Sequence, residues 1–146
     1  MPKITLRKVV KENLGAILKL DVAEDQRRFV ASNAVSLAQA YVSPDAWPRA
    51  IYAGEVPVGF VMLSLDPEKP EHWIWRLMVG ADHQRRGYGR AAMRAIVAHV
   101  RALPEATELK LSFVPAPGNP QPFYESLGFE LTGEEEEGEK VMRLAL

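Results

Sequence analysis

Apolar and polar residues alternate along "ITLRKV", from Ile4 to Val9, a period of two that predicts a strand. A helical region follows. In it Val30, Ala34, Leu37 and Tyr41 fall four, three and four apart and define one helix face. "SPDAWP" reads as the turn that ends this region. "RAIYAGEVPVGFVMLSL" reads as a hairpin turning near Gly54 and Glu55. "EHWIWRLMVG", rich in aromatic and β-branched residues, predicts another strand. The period then changes. Ala92, Met93, Ile96, Val97 and Val100 share a face of a helix from about Gly89 to Leu103, and Pro104 stops it. "TELKLSFV" is a strand, "PAPGNP" a breaker-rich loop, and "QPFYESLG" a short helix closing on Gly128. "FELTG" and "KVMRLAL" pair across "EEEEGE", whose charges read as a solvated hairpin tip.

The order βαα-βββ-α-β-α-ββ predicts a mixed α/β chain around one central sheet. At 146 residues it fits a single domain spanning residues 1–146. Composition then removes several classes of function. With 47% hydrophobic and 25% charged residues the chain reads as globular, and a formal net charge of −1 marks neither a nucleic-acid nor a membrane binder. The absence of cysteine excludes disulfides, thiolate metal sites and a cysteine nucleophile. No close His/Asp/Glu cluster suggests a metal. With no leader-like segment, the expected location is the cytoplasm.

One stretch carries chemistry. "HQRRGYGRAAM" places Gly87 and Gly89 beside Arg85, Arg86 and Arg90, between a strand and a helix. A helix N-terminus presents unpaired N–H groups and the positive end of the helix dipole, so it binds anions. Glycines let phosphate oxygens approach the backbone, and arginines add charge-assisted donors. The turn therefore reads as a diphosphate cradle. It lacks the Walker spacing, and Ala92 stands at the third glycine position of G-x-G-x-x-G.

"LMVGADHQRRGYGRAAM" resembles the acetyl-CoA signature of the GCN5-related N-acetyltransferases, and "NPQPFYESLGFELTGE" resembles their second signature. Within that family, "FVASNAVSLAQAYV" and "HWIWRLMV" look most like the branch of bacterial spermine/spermidine acetyltransferases. Ala81 departs from a common proline and should alter the stiffness of the turn. The resemblance implies a mixed, mostly antiparallel central sheet with helices on both faces. It implies acetyl-CoA as co-substrate, a small-molecule amine as acceptor, and often a homodimer, for which β-edges near the C-terminus offer a surface. Leu77, Met78 and Val79 would pair by backbone with the pantetheine arm. Gln84, Arg85, Arg86, Gly87, Tyr88, Gly89 and Arg90 would hold the diphosphate. Asn119 would touch the cofactor arm, and Tyr124 would lie near the thioester sulfur.

A tyrosine with a reference pKa of about 10 is protonated at neutral pH and can donate to a thiolate leaving group. Tyr124 is the candidate donor, or else it packs beside Phe123. The acceptor ammonium must also lose a proton. Glu71 and His72 are candidates for that base, against the plainer reading of solvated strand-end residues. Trp73 and Trp75 read as core, with one bordering the acceptor pocket. Glu24 and Asp25 either favour the start of the long helix or attract a polycation. His83 and His99 read as surface residues. Three rivals stay open: another amine acceptor (aminoglycoside, amino acid or protein N-terminus), a non-catalytic acyl-CoA sensor, and a nucleotide-phosphate binder.

Overall fold

The computed structural model describes residues 2–146. The element order is β1 (Ile4–Arg7), α1 (Lys11–Lys19), α2 (Asn33–Tyr41), β2 (Ala46–Ala53), β3 (Val56–Leu65), β4 (His72–Val79), α3 (Tyr88–Arg101), β5 (Glu108–Phe113), α4 (Gln121–Ser126), β6 (Glu130–Glu136) and β7 (Glu139–Ala145). The strands form one seven-stranded sheet in the order β1-β2-β3-β4-β5-β7-β6. All neighbours are antiparallel except β4 and β5.

Each face of the sheet buries its own cluster. On one face α3 lays Ala92, Met93, Ile96 and Val100 against Ile51, Val61, Leu63, Leu109 and Leu111, and Tyr124 and Leu127 from the α4 region join them. On the other face Ile17 of α1 and Leu37 and Ala40 of α2 pack on Tyr52, Phe60, Met62 and Met78. The alternation read from β4, β5 and β7 is what assigns side chains to these two faces.

Three local readings are corrected. Strand β2 begins at Ala46, so Trp47 and Pro48 belong to it and not to a turn. Strand β1 pairs only with Ala50–Ala53, which leaves Pro48 a neighbour on one side, where a missing N–H is tolerated. The long helix starts at Asn33, capped by the Ser32 hydroxyl, which accepts from the Val35 amide at 3.2 Å. Its buried residues include Asn33 and Ser36, whereas Ala34 is exposed and Tyr41 is 92% exposed. The inward side of α2 therefore mixes Asn33 and Ser36 with Leu37 and Ala40, which the apolar spacing alone did not show. Finally, most of the acidic run is strand, and Glu134–Glu136 lie in β6 with the tip at Glu137 and Gly138.

Two irregularities around β4 decide the position of the site. Between Ile74, opposite Leu63, and Arg76, opposite Met62, one extra residue, Trp75, bulges from the ladder. A bulge bends its strand and increases local twist. On its other edge β4 pairs with β5 only over His72–Ile74, and among the described residues no ladder partner exists there for Leu77–Val79. The sheet is thus split along its middle from Trp75 onward.

Gly59 holds the opposite edge of that split. A Cβ there would lie 2.4 Å from the Met78 carbonyl oxygen. Gly59→Ala should push β4 away and destabilise the protein by roughly 1–3 kcal/mol, as overpacking does. Gly15, inside α1, has nothing within 4 Å of a built Cβ. Gly15→Ala should stabilise by roughly 0.5–1 kcal/mol. Urea unfolding of both variants checks the contrast, and equal effects would count against this packing.

Candidate active site

The split between β4 and β5 opens two clefts. The first, about 690 Å3, is lined by Leu77–Val79, by Gln84, Arg85 and Gly87–Arg90 of the turn into α3, and by Gly118–Pro120 and Pro122–Tyr124. The second, about 670 Å3, runs between the Arg27–Ala31 segment, Trp73–Leu77 of β4, and Glu136, Glu137 and Glu139 of the β6–β7 hairpin. Phe29, Val30, Leu77, Ser112 and Tyr124 line both. The clefts therefore meet at Tyr124.

The turn into α3 has the features that favour an anion. Gly87 has φ +83°, in the left-handed region that favours glycine. It caps α3 with no side-chain acceptor, so the first amides of that helix open toward the cleft. Arg85 also has a positive φ, +64°, a conformation that costs a non-glycine residue roughly 1–2 kcal/mol. A Cβ on Gly89 would come within 3.4 Å of the Phe123 ring, so its bareness keeps the cradle open. Arg85 and Arg90 line the cleft; Arg86 is exposed and does not. Tyr88 is buried in the core cluster and also borders the cleft.

Two polar side chains expected to reach a ligand are engaged within the protein. Gln84 Nε2 donates to the Val79 carbonyl at 2.9 Å and to Gln26 Oε1 at 2.8 Å. Asn119 Nδ2 donates to the Ala116 carbonyl at 2.9 Å, while its Oδ1 accepts from the Gln121 amide at 2.9 Å. Asn119 thus shapes the loop before α4. Ala81 has a structural reason to differ from proline: its N–H donates to the Asp21 carbonyl at 2.7 Å, which proline could not do.

Tyr124 sits on α4 with its ring 5.6 Å from Phe123 and 5.9 Å from Phe129. Burial among these apolar groups pushes its phenol up to about 12. It is therefore a protonated donor throughout the physiological range. On the far side of the junction, the Ser112 hydroxyl donates to Glu139 Oε1 at 3.0 Å. Arg76 is held by the Trp75 carbonyl at 2.9 Å and by Gln39 Oε1 at 3.2 Å, and its buried Nε has no partner among the described residues. Burial lowers the Arg76 guanidinium, and the Glu139 carboxylate opposes that effect.

Several sequence expectations are not brought to this place. Glu24 and Asp25 lie exposed in a short 3-10 turn, Glu24–Gln26; they line neither cleft and do not cap α2. Glu71 is exposed outside the clefts. His72 is 5% exposed, and neither of its ring nitrogens has a partner among the described residues. It lies between Leu65 and Leu109 in the sheet, so it cannot meet an acceptor. Trp75, by contrast, lines the second cleft together with Trp73. His83 borders the first cleft. His99 is half-buried and stacked on Trp47 at 4.2 Å, with burial and Arg49 lowering its pKa, so it is no surface residue. Glu139 and Ser112 were missed. The acidic run hid the first as one glutamate among many, and alternation placed the second as an ordinary strand residue.

Comparison with known proteins gives this architecture a family. The chain is 30% identical over 146 residues to the spermine/spermidine N(1)-acetyltransferase of Bacillus subtilis (strain 168), covering 95% of this chain and 96% of that one. An acetyltransferase from Thermus thermophilus superposes with a TM-score of 0.77 at 20% identity, over the full length of both chains. The aminoglycoside acetyltransferase AAC(6')-Ib, solved with coenzyme A, gives a TM-score of 0.76 at 17% identity over 98% of this chain and 95% of that one. At such identities these structures attest the fold. A model of the Acetyltransferase (GNAT) family matches residues 23–129, and with a split sheet, a glycine-arginine turn and a tyrosine where two clefts meet, the chain belongs to that family of N-acetyltransferases.

Proposed function

We propose that the protein transfers the acetyl group of acetyl-CoA directly to a primary amine of a small polyamine such as spermidine or spermine. The observation that carries this reading is the junction of the two clefts at Tyr124, one shaped for a diphosphate and its arm, the other walled by Glu136, Glu137 and Glu139. The relative from Bacillus subtilis described above has a polyamine as its acceptor by name. The acyl donor supplies the thioester and its sulfur leaving group. The chain supplies the rest. Apart from the Val79 carbonyl, which accepts from Gln84, the edge of Leu77–Val79 that β5 leaves unpaired offers backbone groups to the arm, and the bare turn with Arg85 and Arg90 receives the diphosphate. No cysteine exists to carry the acetyl group, so attack by the amine is direct.

Tyr124 acts as a hydrogen-bond donor to the developing thiolate. Complete transfer from a phenol near pKa 12 to a sulfur whose thiol has a reference pKa of about 8.5 would be uphill by roughly 5 kcal/mol. Stabilising charge by a donated hydrogen bond carries no such cost. The two tryptophans of the acceptor cleft suit a cationic chain, since their faces already attract cations: Lys110 lies 5.5 Å from the Trp73 ring centre and Arg76 5.7 Å from that of Trp75.

Three outcomes are expected. In an amine panel, spermidine or spermine should give the highest kcat/KM, above lysine, monoamines and aminoglycosides. Glu136→Gln and Glu137→Gln should each raise the polyamine KM roughly 1.5- to 5-fold, less at high salt, because exposed contacts are weak and screened. Glu24→Gln with Asp25→Asn should change nothing. A simple alkylamine reacting as well as spermidine would overturn the acceptor assignment.

The tyrosine has its own test. Tyr124→Phe should lower kcat by roughly 10- to 100-fold with little change in acetyl-CoA affinity, since the bond forms in the transition state. Because the pKa is raised, the phenol stays protonated below it, so loss of this proton should produce no alkaline fall in kcat below about pH 11. An unaltered kcat with chemistry rate-limiting would assign Tyr124 to packing alone.

Finally, Gly89→Val should abolish measurable acetyl-CoA binding by calorimetry while the melting temperature changes little. Gly87→Ala should instead lower stability by roughly 1–2 kcal/mol through its left-handed φ. Retained cofactor affinity in the Gly89 variant would remove the turn from the donor site.

A further inference from the structure

We infer that Ser112 and Glu139 form the proton-accepting pair of the acceptor site. The inference rests on the reading above that the second cleft receives an amine. Such an amine has a reference pKa of about 10.4 and arrives protonated, with only roughly one molecule in 2,500 free to attack at pH 7. A group at the cleft junction has to take the proton. Glu71 and His72 stand elsewhere, so the structure leaves the sequence candidates without access.

Geometry favours one carboxylate over the others. Glu136 and Glu137 are exposed at the hairpin tip, whereas Glu139 is half-buried at the start of β7 and lines the acceptor cleft. Its Oε1 accepts from the Ser112 hydroxyl at 3.0 Å. Ser112 in turn lines both clefts, as Tyr124 does. The hydroxyl thus stands where donor and acceptor meet, aimed by a carboxylate that is itself set back. Tyr124, a phenol, lies at the same junction with the opposite task of giving a hydrogen bond. One donor and one proton acceptor at the junction are what amide formation from a thioester requires.

The step balances as follows. An ammonium proton passes to Ser112 Oγ as the Ser112 hydroxyl proton passes to Glu139 Oε1. The freed nitrogen lone pair forms the C–N bond, and the C–S bond breaks with its electron pair going to sulfur. A second nitrogen proton neutralises that thiolate, and Glu139 releases the first to solvent. One amide, one thiol and one proton result.

Several charges bear on Glu139. Arg76 on β4 faces it, Arg27 and Arg28 line the opposite wall, and Glu136 and Glu137 stand beside it on the hairpin. Lys110 on β5 is tied to Glu108 at 3.6 Å and Glu134 at 4.0 Å. The arginines also oppose an ammonium in the cleft and so favour its neutral amine.

The test is the pH dependence of acetyl transfer to spermidine, with an N-terminal peptide amine as second acceptor. Glu139→Gln keeps an oxygen for Ser112 but cannot take a proton. It should lower kcat by on the order of 100-fold at pH 7 with KM nearly unchanged, and the deficit should narrow toward pH 10 as the ammonium loses its proton to solvent. Ser112→Ala should reproduce the loss, and Ser112→Thr should restore most of it. A raised KM with unchanged kcat would make Glu139 an anchor and overturn the pair. A lowered melting temperature with unchanged kcat would make the contact structural and overturn it equally. If spermidine is inert and the peptide amine reacts, the polyamine reading alone falls, and the same pH comparison on the peptide decides the pair.

Discussion

The structure depends on a failure of pairing. Strands β4 and β5 are bonded over three residues, His72–Ile74 against Leu109–Leu111, and then part. The bulge at Trp75 turns β4 just at that point. A sheet that remained zipped would leave no free backbone at Leu77–Val79, no cleft on either side, and no route between them. Unpaired backbone groups in the middle of a sheet are costly unless a ligand or solvent satisfies them. The cost is tolerated because both flanking pairings hold: β3 grips β4 along its whole length, and β7 grips β5.

The segment before α2 spans this opening. The side-chain oxygen of Gln26 accepts from Gln84 beside the turn into α3, and the Arg28 guanidinium donates to the Pro117 carbonyl across the mouth of the split. The Asp21 carbonyl accepts from the Ala81 amide, and the Asp21 carboxylate meets Arg27 at 3.0 Å. The segment is anchored by Val22, which is buried, and by Val30, which packs against the same apolar cluster. It contributes Phe29 and Val30 to both clefts, and its position therefore couples their shapes.

Charge is distributed unevenly in the second cleft. Arginines 27, 28 and 76 occupy one side and glutamates 136, 137 and 139 the other. In a narrow cleft such a pattern orients a charged chain more than it tightens it, since exposed pairs contribute little. The acidic edge has a second effect. Strand β6 is the outer strand of the sheet and holds Glu130, Glu134, Glu135 and Glu136. Two copies paired along it would set like charges together, so this edge resists the self-pairing that its position at the C-terminal end suggests.

Much of this was legible in the chain. Periods of two and of 3.6 announced the strands and α3, because each side chain there answers to the same repeating environment. The Gly87–Arg90 turn stood out in the sequence because it sets a bare backbone at a helix start with arginines beside it, residue types that ordinary turns do not demand. The site as a whole did not. Tyr41 shared the apolar spacing of α2 yet is exposed, while Ser36, outside that spacing, is buried, so the face α2 turns inward is not the one its apolar residues marked. His72 and Glu71 looked available because strand ends usually meet water, yet the register puts one inside the sheet and the other away from the cleft. Ser112 and Glu139 lie 27 residues apart and meet only because β5 pairs with β7, skipping β6. Local pattern reports what each residue's immediate neighbours require; which residues face one another across a split sheet is settled by strand order and register, and those exist only once the chain has folded.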